Sequence, residues 1–248
     1  MTTAMIVQAR MGSTRLPGKI LMPLGGMTAL AQCLRRCAAI PGIDKVVCAV
    51  PYGDSEQPVV DEAERCGALV ARGPSDDVLK RHRIAAELAG ADIAMRVTSD
   101  CPLVDPELCG RLLAKLKAEG LDYCCNNMPH SWPHGLDAEV FSVKALVEAD
   151  ERATDPFDRE HATPWLRRAP HLKRGNIACP HGDLSHECRW TVDYPEDYDF
   201  LVALFARLPP EIVSTERVLS VLAAEPALAE INAVRRGMRA GGKPVKAD

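Results

Sequence analysis

No stretch of this 248-residue chain approaches the roughly 20 consecutive apolar residues that a bilayer-spanning helix needs. The first residues also lack the basic region and cleavage pattern of a secretory leader, so the cytosol is the expected location. Positive charge is not in excess: 30 Lys and Arg against 34 Asp and Glu give a formal net charge of −4. That balance supplies no electrostatic reason for a nucleic acid or an anionic membrane as partner. Internal repeats and low-complexity linkers are absent as well. So are the two best-known phosphate loops. A Walker loop needs four residues between its glycine and Gly-Lys, then Ser or Thr. Here five residues separate Gly12 from Gly18, and Ile20 follows Lys19. No Gly-x-Gly-x-x-Gly dinucleotide fingerprint occurs.

What is present has the balance of a soluble globular protein, with 47% hydrophobic and 26% charged residues. The length suits one large α/β domain or two small ones. Ten cysteines are scattered through expected strands and helices, as buried thiols in a reducing compartment would be.

The densest chemistry follows a short apolar run, Met5-Ile6-Val7, that reads as a first strand. Gln8-Ala9-Arg10-Met11-Gly12-Ser13-Thr14-Arg15-Leu16-Pro17-Gly18-Lys19 then gathers three cations, two glycines, two hydroxyls and a proline. Backbone N–H groups in such a loop can form an anion-binding concavity, and Arg10, Arg15 and Lys19 add charge. The loop reads either as a polyphosphate cradle or as a basic surface turn.

Beyond it, patterning predicts a helix over 29–39, a strand over 45–50, a helix over 55–66 and a weak strand over 69–71. A helix over 76–89 capped by Ser75, a strand over 93–98 and a helix opening at Pro106 behind an Asp105 cap follow. This alternation predicts an α/β fold, a mostly parallel twisted sheet in a three-layer α/β/α arrangement. Ligands then sit beyond the carboxyl ends of strands, where the basic loop and Asp100 can share one crevice. In the second half, 126–135 reads as loop. Leu136 to Phe141 reads as an alternating strand with Asp137 and Glu139 on one face. Residues 158–168 read as partly helical, and Lys173 to Val192 as two strands turning at Gly182. A helix over 196–208 and two terminal helices over 215–224 and 226–238 precede a frayed Gly/Lys tail.

Several side chains have two readings. Asp100, opposite a polyphosphate loop, is either a Mg²⁺ ligand or a cap for the turn into Pro102. Asp193, between a strand and a helix start, is a second such carboxylate or an N-terminal cap. Asp137 and Glu139 form a solvated face or, beside a sugar, accept hydroxyl hydrogen bonds. His134, Arg159 and His161 are polar neighbours in irregular segments. A hairpin at Gly182 would gather Cys179, His181, His186 and Cys188, soft donors of the kind zinc takes, although the spacing matches no recognised finger.

With these residues assembled, the sequence resembles the cytidylyltransferase family that activates acidic sugars, which includes the acylneuraminate and ketodeoxyoctonate enzymes and a spore-coat-polysaccharide branch. The matching stretches are the loop over 8–19, Arg96-Val97-Thr98-Ser99-Asp100-Cys101-Pro102-Leu103, Gly135-Leu136-Asp137-Ala138-Glu139-Val140-Phe141 and Trp190-Thr191-Val192-Asp193-Tyr194-Pro195-Glu196-Asp197. The resemblance spans most of residues 4–205. It implies a nucleotide-diphospho-sugar transferase-like, Rossmann-like fold, as a single domain over 1–248. An irregular acceptor-binding and dimerisation region would lie at about 123–192, with C-terminal helices over 196–238. It further implies a homodimer that uses Mg²⁺ and CTP and transfers CMP to a sugar acid with release of pyrophosphate, in surface polysaccharide biosynthesis.

On that match Lys19, Arg15 and Asp100 are catalytic, and Asp100 and Asp193 hold the metal. Gln8, Ala9, Arg10, Gly12, Ser13, Arg15, Lys19 and Thr98 bind the nucleotide, and Asp137, Glu139 and His161 bind the acceptor. One departure is that Thr98-Ser99-Asp100 stands where the ketodeoxyoctonate enzymes carry Gln-Gly-Asp. A phosphonate or sugar-phosphate acceptor stays open. So does a glycosyltransferase of similar fold, although Asp100-Cys101-Pro102 is not its usual Asp-x-Asp metal motif. A nucleotide-binding module without catalysis is the non-enzyme alternative.

Overall fold

The structure, a computed structural model, describes residues 1–238; the Gly/Lys tail lies outside the described residues. Strand β1 (Thr3–Gln8) leads through a short antiparallel pair, β2 (Pro23–Leu24) and β3 (Met27–Thr28), into α1 (Ala29–Ala38). Then come β4 (Lys45–Pro51), α2 (Gln57–Arg65), β5 (Leu69–Gly73), α3 (Val78–Ala89), β6 (Ile93–Thr98) and α4 (Pro106–Glu119). The Asp105 carboxylate caps α4 by accepting from the Glu107 and Leu108 N–H groups. At α3 it is Asp77, not Ser75, that caps, accepting from Lys80 N at 2.9 Å, so the helix begins two residues later than the pattern suggests.

The second half adds β7 (Tyr123–Cys125), β8 (Glu139–Ser142), α5 (Val143–Arg152), α6 (Pro156–His161), α7 (Pro164–Arg168) and β9 (Arg174–Asn176). Helices α8 (Pro195–Phe205), α9 (Thr215–Ala224) and α10 (Ala227–Glu230) follow. The seven-stranded sheet runs β5-β4-β1-β6-β8-β7-β9. All its neighbouring pairs are parallel except those of β8, which runs against both β6 and β7. The fold is thus α/β, mostly parallel and Rossmann-like. Because β8 is reversed, its first residue, Glu139, sits opposite Arg96 and Cys125, at the carboxyl ends of β6 and β7.

Alternation along the strands divides the core. Met5 and Val7 of β1 face the layer of α1, α2 and α4, packing with Leu30, Leu34, Val59 and Leu112. Ala4 and Ile6 face the opposite layer, with Leu79, Ala86, Leu146 and Leu166. A third cluster joins Phe200, Leu201 and Leu204 of α8 to Trp132, Leu136, Trp190 and Val192.

Three expectations fail for local reasons. The 136–141 strand shortens because the Asn126 side chain takes the Leu136 carbonyl (2.8 Å) and the Ala138 N–H (2.9 Å) out of the ladder. The hairpin around Gly182 does not form. Its backbone pairs with the 131–134 loop instead: Leu184 N to Ser131 O, His134 N to Cys188 O, Trp190 N to His134 O. The 226–238 helix breaks where buried Asn232 turns inward to the Arg189 carbonyl at 2.9 Å.

Candidate active site

Lys19 opens a short 3-10 turn behind Gly18 and reaches across the strand ends. Its ammonium lies 2.8 Å from Asp100, just past β6, and 2.9 Å from Asp193, just before α8. The Arg15 guanidinium donates to Asp193 at 2.8 Å, and the Thr98 hydroxyl donates to Asp100 at 2.5 Å. Two carboxylates 93 positions apart in sequence therefore share one cation. A strap over 188–193 brings them together, with Val192 N and the Thr191 hydroxyl each donating to the Asp100 carbonyl at 2.9 Å. Asp193 is fixed from behind by Asp197, which accepts from the Asp193 and Tyr194 N–H groups and is held by Arg189 through two 2.8 Å bonds.

The electrostatics are strongly coupled. Burial pushes the Asp100 carboxyl up, but the charge and hydrogen bond of Lys19, with the Thr98 hydroxyl, outweigh it and hold the group down to about 2. Burial likewise opposes ionisation of Asp193, and the Arg15 hydrogen bond and Lys19 charge overcome it. Burial lowers the Lys19 ammonium, yet the two aspartates leave it above the ordinary lysine value. All three groups are charged at neutral pH. Two hard carboxylates beside a cationic loop suit Mg²⁺, which takes one or two protein carboxylates and completes its shell with water and substrate phosphate. Among the described residues no group of three or more His, Cys, Asp or Glu is placed to hold a metal ion.

Other members of the loop sit differently. Gln8 accepts from Arg96 at 3.1 Å, Ala9 is buried with its N–H on the Ala49 carbonyl, and Arg10 and Gly12 are exposed at the lip. The Ser13 hydroxyl accepts from Leu16 N at 3.3 Å. Buried Glu56 accepts from Met11 N at 2.7 Å and anchors the loop; nothing in the sequence pattern marks it.

Asp137 and Glu139 part company. Asp137 is part-buried, with the Nδ1 atoms of His130 and His134 at 3.6 and 3.4 Å and Asn127 at 3.2 Å. Burial raises its carboxyl, but His134 and the other two neighbours hold it well below the usual range. Glu139 is 2% exposed, so it belongs to no solvated face. Arg96 (2.5 Å), Arg167 (2.6 and 2.9 Å), Thr163 (3.1 Å) and the Tyr123 hydroxyl all donate to it. His161 is exposed and packs edge-on against Phe157, while Arg159 ties Asp77 to Asp150. Cys179 N donates to the Ser131 hydroxyl and His181 lies 3.8 Å from Glu216, so the four proposed zinc donors do not gather.

Gly135 makes the approach of the strap possible. At φ +110° it lies so close to Trp190 that an added Cβ would sit 2.6 Å from the Trp190 carbonyl carbon. Gly135→Ala should cost about 2–4 kcal/mol, combining backbone strain with loss of the Trp190–His134 hydrogen bond. Denaturant unfolding checks this, and a wild-type midpoint would contradict it.

Cationic side chains thus meet two convergent carboxylates beside the carboxyl ends of β1 and β6 in a Rossmann-like sheet. The chain belongs to the cytidylyltransferase family, whose model matches residues 4–208, and is accordingly a CTP-dependent nucleotidyltransferase. It is 31% identical over 221 residues to the spore coat polysaccharide biosynthesis protein SpsF of Bacillus subtilis, covering 86% of this chain and 91% of that protein. It is 32% identical over 167 residues to the 3-deoxy-manno-octulosonate cytidylyltransferase of Acidovorax sp. strain JS42, covering 63% of this chain and 62% of the other. The solved structure of a cytidylyltransferase from Leptospira borgpetersenii superposes with a TM-score of 0.87 at 29% identity, covering 92% of this chain and 97% of that one. No helix among the described residues is long and apolar enough to cross a membrane.

Proposed function

We propose that the chain transfers CMP from Mg²⁺-bound CTP to a hydroxyl of a sugar acid, releasing pyrophosphate, in the synthesis of a surface polysaccharide or glycoconjugate. The observation that carries this reading is the Lys19 ammonium shared between Asp100 and Asp193, with Arg15 alongside. The acceptor oxygen attacks the α-phosphorus in line; the new P–O bond forms as the bond to pyrophosphate breaks. Lys19 and Arg15 neutralise the departing pyrophosphate, Lys19 as a point charge and Arg15 by its fork. Arg10, Gly12 and Ser13 line the triphosphate's path. Asp100 and Asp193 would hold the metal, which would supply Lewis-acid polarisation of the α-phosphate. Positioning and charge do most of the work in phosphoryl-group chemistry, and the chain's ion pairs preorganise both. Asp137, with its two imidazoles, faces the acceptor. Glu139 acts on it through Arg96 and Arg167. The comparison with SpsF and with the octulosonate enzyme supports an acidic sugar and a polysaccharide pathway.

The test is a pyrophosphate-release assay with Mg²⁺, crossing the four nucleoside triphosphates with sugar acids, phosphosugars and phosphonates. Release with CTP and a sugar acid is expected, abolished by EDTA. Release with UTP or GTP but not CTP would overturn the base assignment, and cleavage of a sugar nucleotide without pyrophosphate would overturn the reaction.

A further inference from the structure

Arg81 is fully buried on α3, yet no carboxylate pairs with it among the described ion pairs. Burial pushes its guanidinium down to about 10 and nearby Arg10 adds to this, against the weaker pull of Glu56 and Asp77. Its Nε has no hydrogen-bond partner. A buried cation of this kind is costly and asks for a reason. What the side chain does is hold one loop: its Nη1 donates to the Pro74 carbonyl at 2.6 Å and to the Ser75 carbonyl at 3.4 Å. Gly73 permits the contact, since a Cβ there would sit 3.0 Å from the Arg81 Cβ.

The consequence lies on the loop's other side. In a trans peptide the carbonyl of one residue and the N–H of the next point in opposite directions. With the Pro74 and Ser75 carbonyls turned down onto Arg81, the Ser75 and Asp76 N–H groups are turned away from the core. Both residues are exposed, and neither N–H has an acceptor among the described residues. The loop leaves the carboxyl end of β5, two strands from β1. At about 4.8 Å per strand that is about 10 Å from the start of the phosphate loop, the reach of a nucleoside. Tyr52 N, donating to the Gly73 carbonyl at 2.8 Å, ties this edge to the end of β4.

We propose that Arg81 is a positioning residue for base selection, aiming the Ser75 and Asp76 N–H groups at the acceptor pair of cytosine. Cytosine presents two adjacent acceptors, O2 and N3; uracil presents a donor at N3 that would face a donor. A site built on hydrogen bonds rejects the analogue that leaves them unmade far more strongly than a shape fit can. This inference rests on the cytidylyl-transfer reading.

The experiment is calorimetric titration of the full chain with CTP, UTP and inorganic tripolyphosphate in MgCl₂. It compares wild type with Arg81→Met, Arg81→Lys and Ser75→Pro, the last deleting one of the two N–H groups outright. Wild type should prefer CTP over UTP by about tenfold or more. Arg81→Met and Ser75→Pro should bring that ratio close to one while tripolyphosphate binds as in wild type. Arg81→Lys, a point charge that can satisfy only part of the fork, should fall between. A wild-type ratio retained in either folded variant overturns the proposal, and so does equal binding of CTP and UTP by wild type. Should Arg81→Met not fold, Ser75→Pro decides alone. A wild type that binds neither nucleotide nor tripolyphosphate removes the cytidylyl-transfer reading itself.

Discussion

Asp100→Asn should lower turnover about a hundred- to a thousandfold while the protein stays folded. Removing one preorganised charge contact at a reacting centre costs about 2.7–4 kcal/mol in the barrier, and in the proposed mechanism the Asp100 carboxylate is such a contact. It is ionised throughout the neutral range because Lys19 and Thr98 hold it down to about 2. Asparagine keeps the shape but loses the charge that would hold Mg²⁺. The fold should survive because the strap bonds to the Asp100 backbone carbonyl, which the substitution leaves in place. Lys19 also keeps Asp193 as a partner at 2.9 Å. The check is kcat from pyrophosphate release with the best pair from the acceptor screen, alongside the melting temperature. Unchanged turnover removes Asp100 from the mechanism.

The second large effect falls on stability. Glu139→Gln should cost about 3–5 kcal/mol, because it leaves Arg96 and Arg167 against a neutral side chain in a buried site. In a chain of this size that lowers the melting temperature by about 6–20 °C. The same network gives a pH dependence. Burial raises the Glu139 carboxyl, and the charges of Arg167 and Arg96 bring it down to about 2, below the unfolded value near 4.5. A depressed folded pKa means that its stabilisation is fully present above the unfolded pKa and is lost as pH falls through the folded one. Wild type should therefore lose stability between about pH 4.5 and pH 2, and Glu139→Gln should show a shallower loss there. Parallel curves would show that the Glu139 charge is not what holds the network.

The parallel half of the sheet was legible in the sequence because its strands are short apolar runs, β4 and β5 closing on Pro51 and Gly73, and because α1, α3 and α4 open on side-chain caps at Thr28, Asp77 and Asp105. The meeting of Lys19 and Asp100 followed from position: both lie beyond the carboxyl ends of strands that are adjacent, β1 and β6. Asp193 was legible as a carboxylate between a strand-like run and a helix, although the strap that brings it to Asp100 is irregular backbone. The surroundings of Asp137 and Glu139 were not legible. Periodicity assigns Asp137 and Glu139 to one face, but a single side chain, Asn126, removes 136–138 from the ladder and sends the two acids to different surroundings. The imidazoles on Asp137 come from an aperiodic loop, where spacing carries no signal for which residues meet. Arg81 was hidden for the opposite reason. On a regular helix it looks like a solvated cation, and only tertiary packing turns it inward.

In the proposed mechanism Asp100 and Asp193 would hold the divalent ion that carries CTP against Arg15 and Lys19. Crystals grown with CTP and Mn²⁺ in place of Mg²⁺ test it most directly, by anomalous diffraction at the manganese edge. One strong peak is expected, touching a carboxylate oxygen of both aspartates and a CTP phosphate oxygen, with Lys19 moved onto the triphosphate. A peak elsewhere in the crevice, or a triphosphate bound without contact to Lys19, would contradict it.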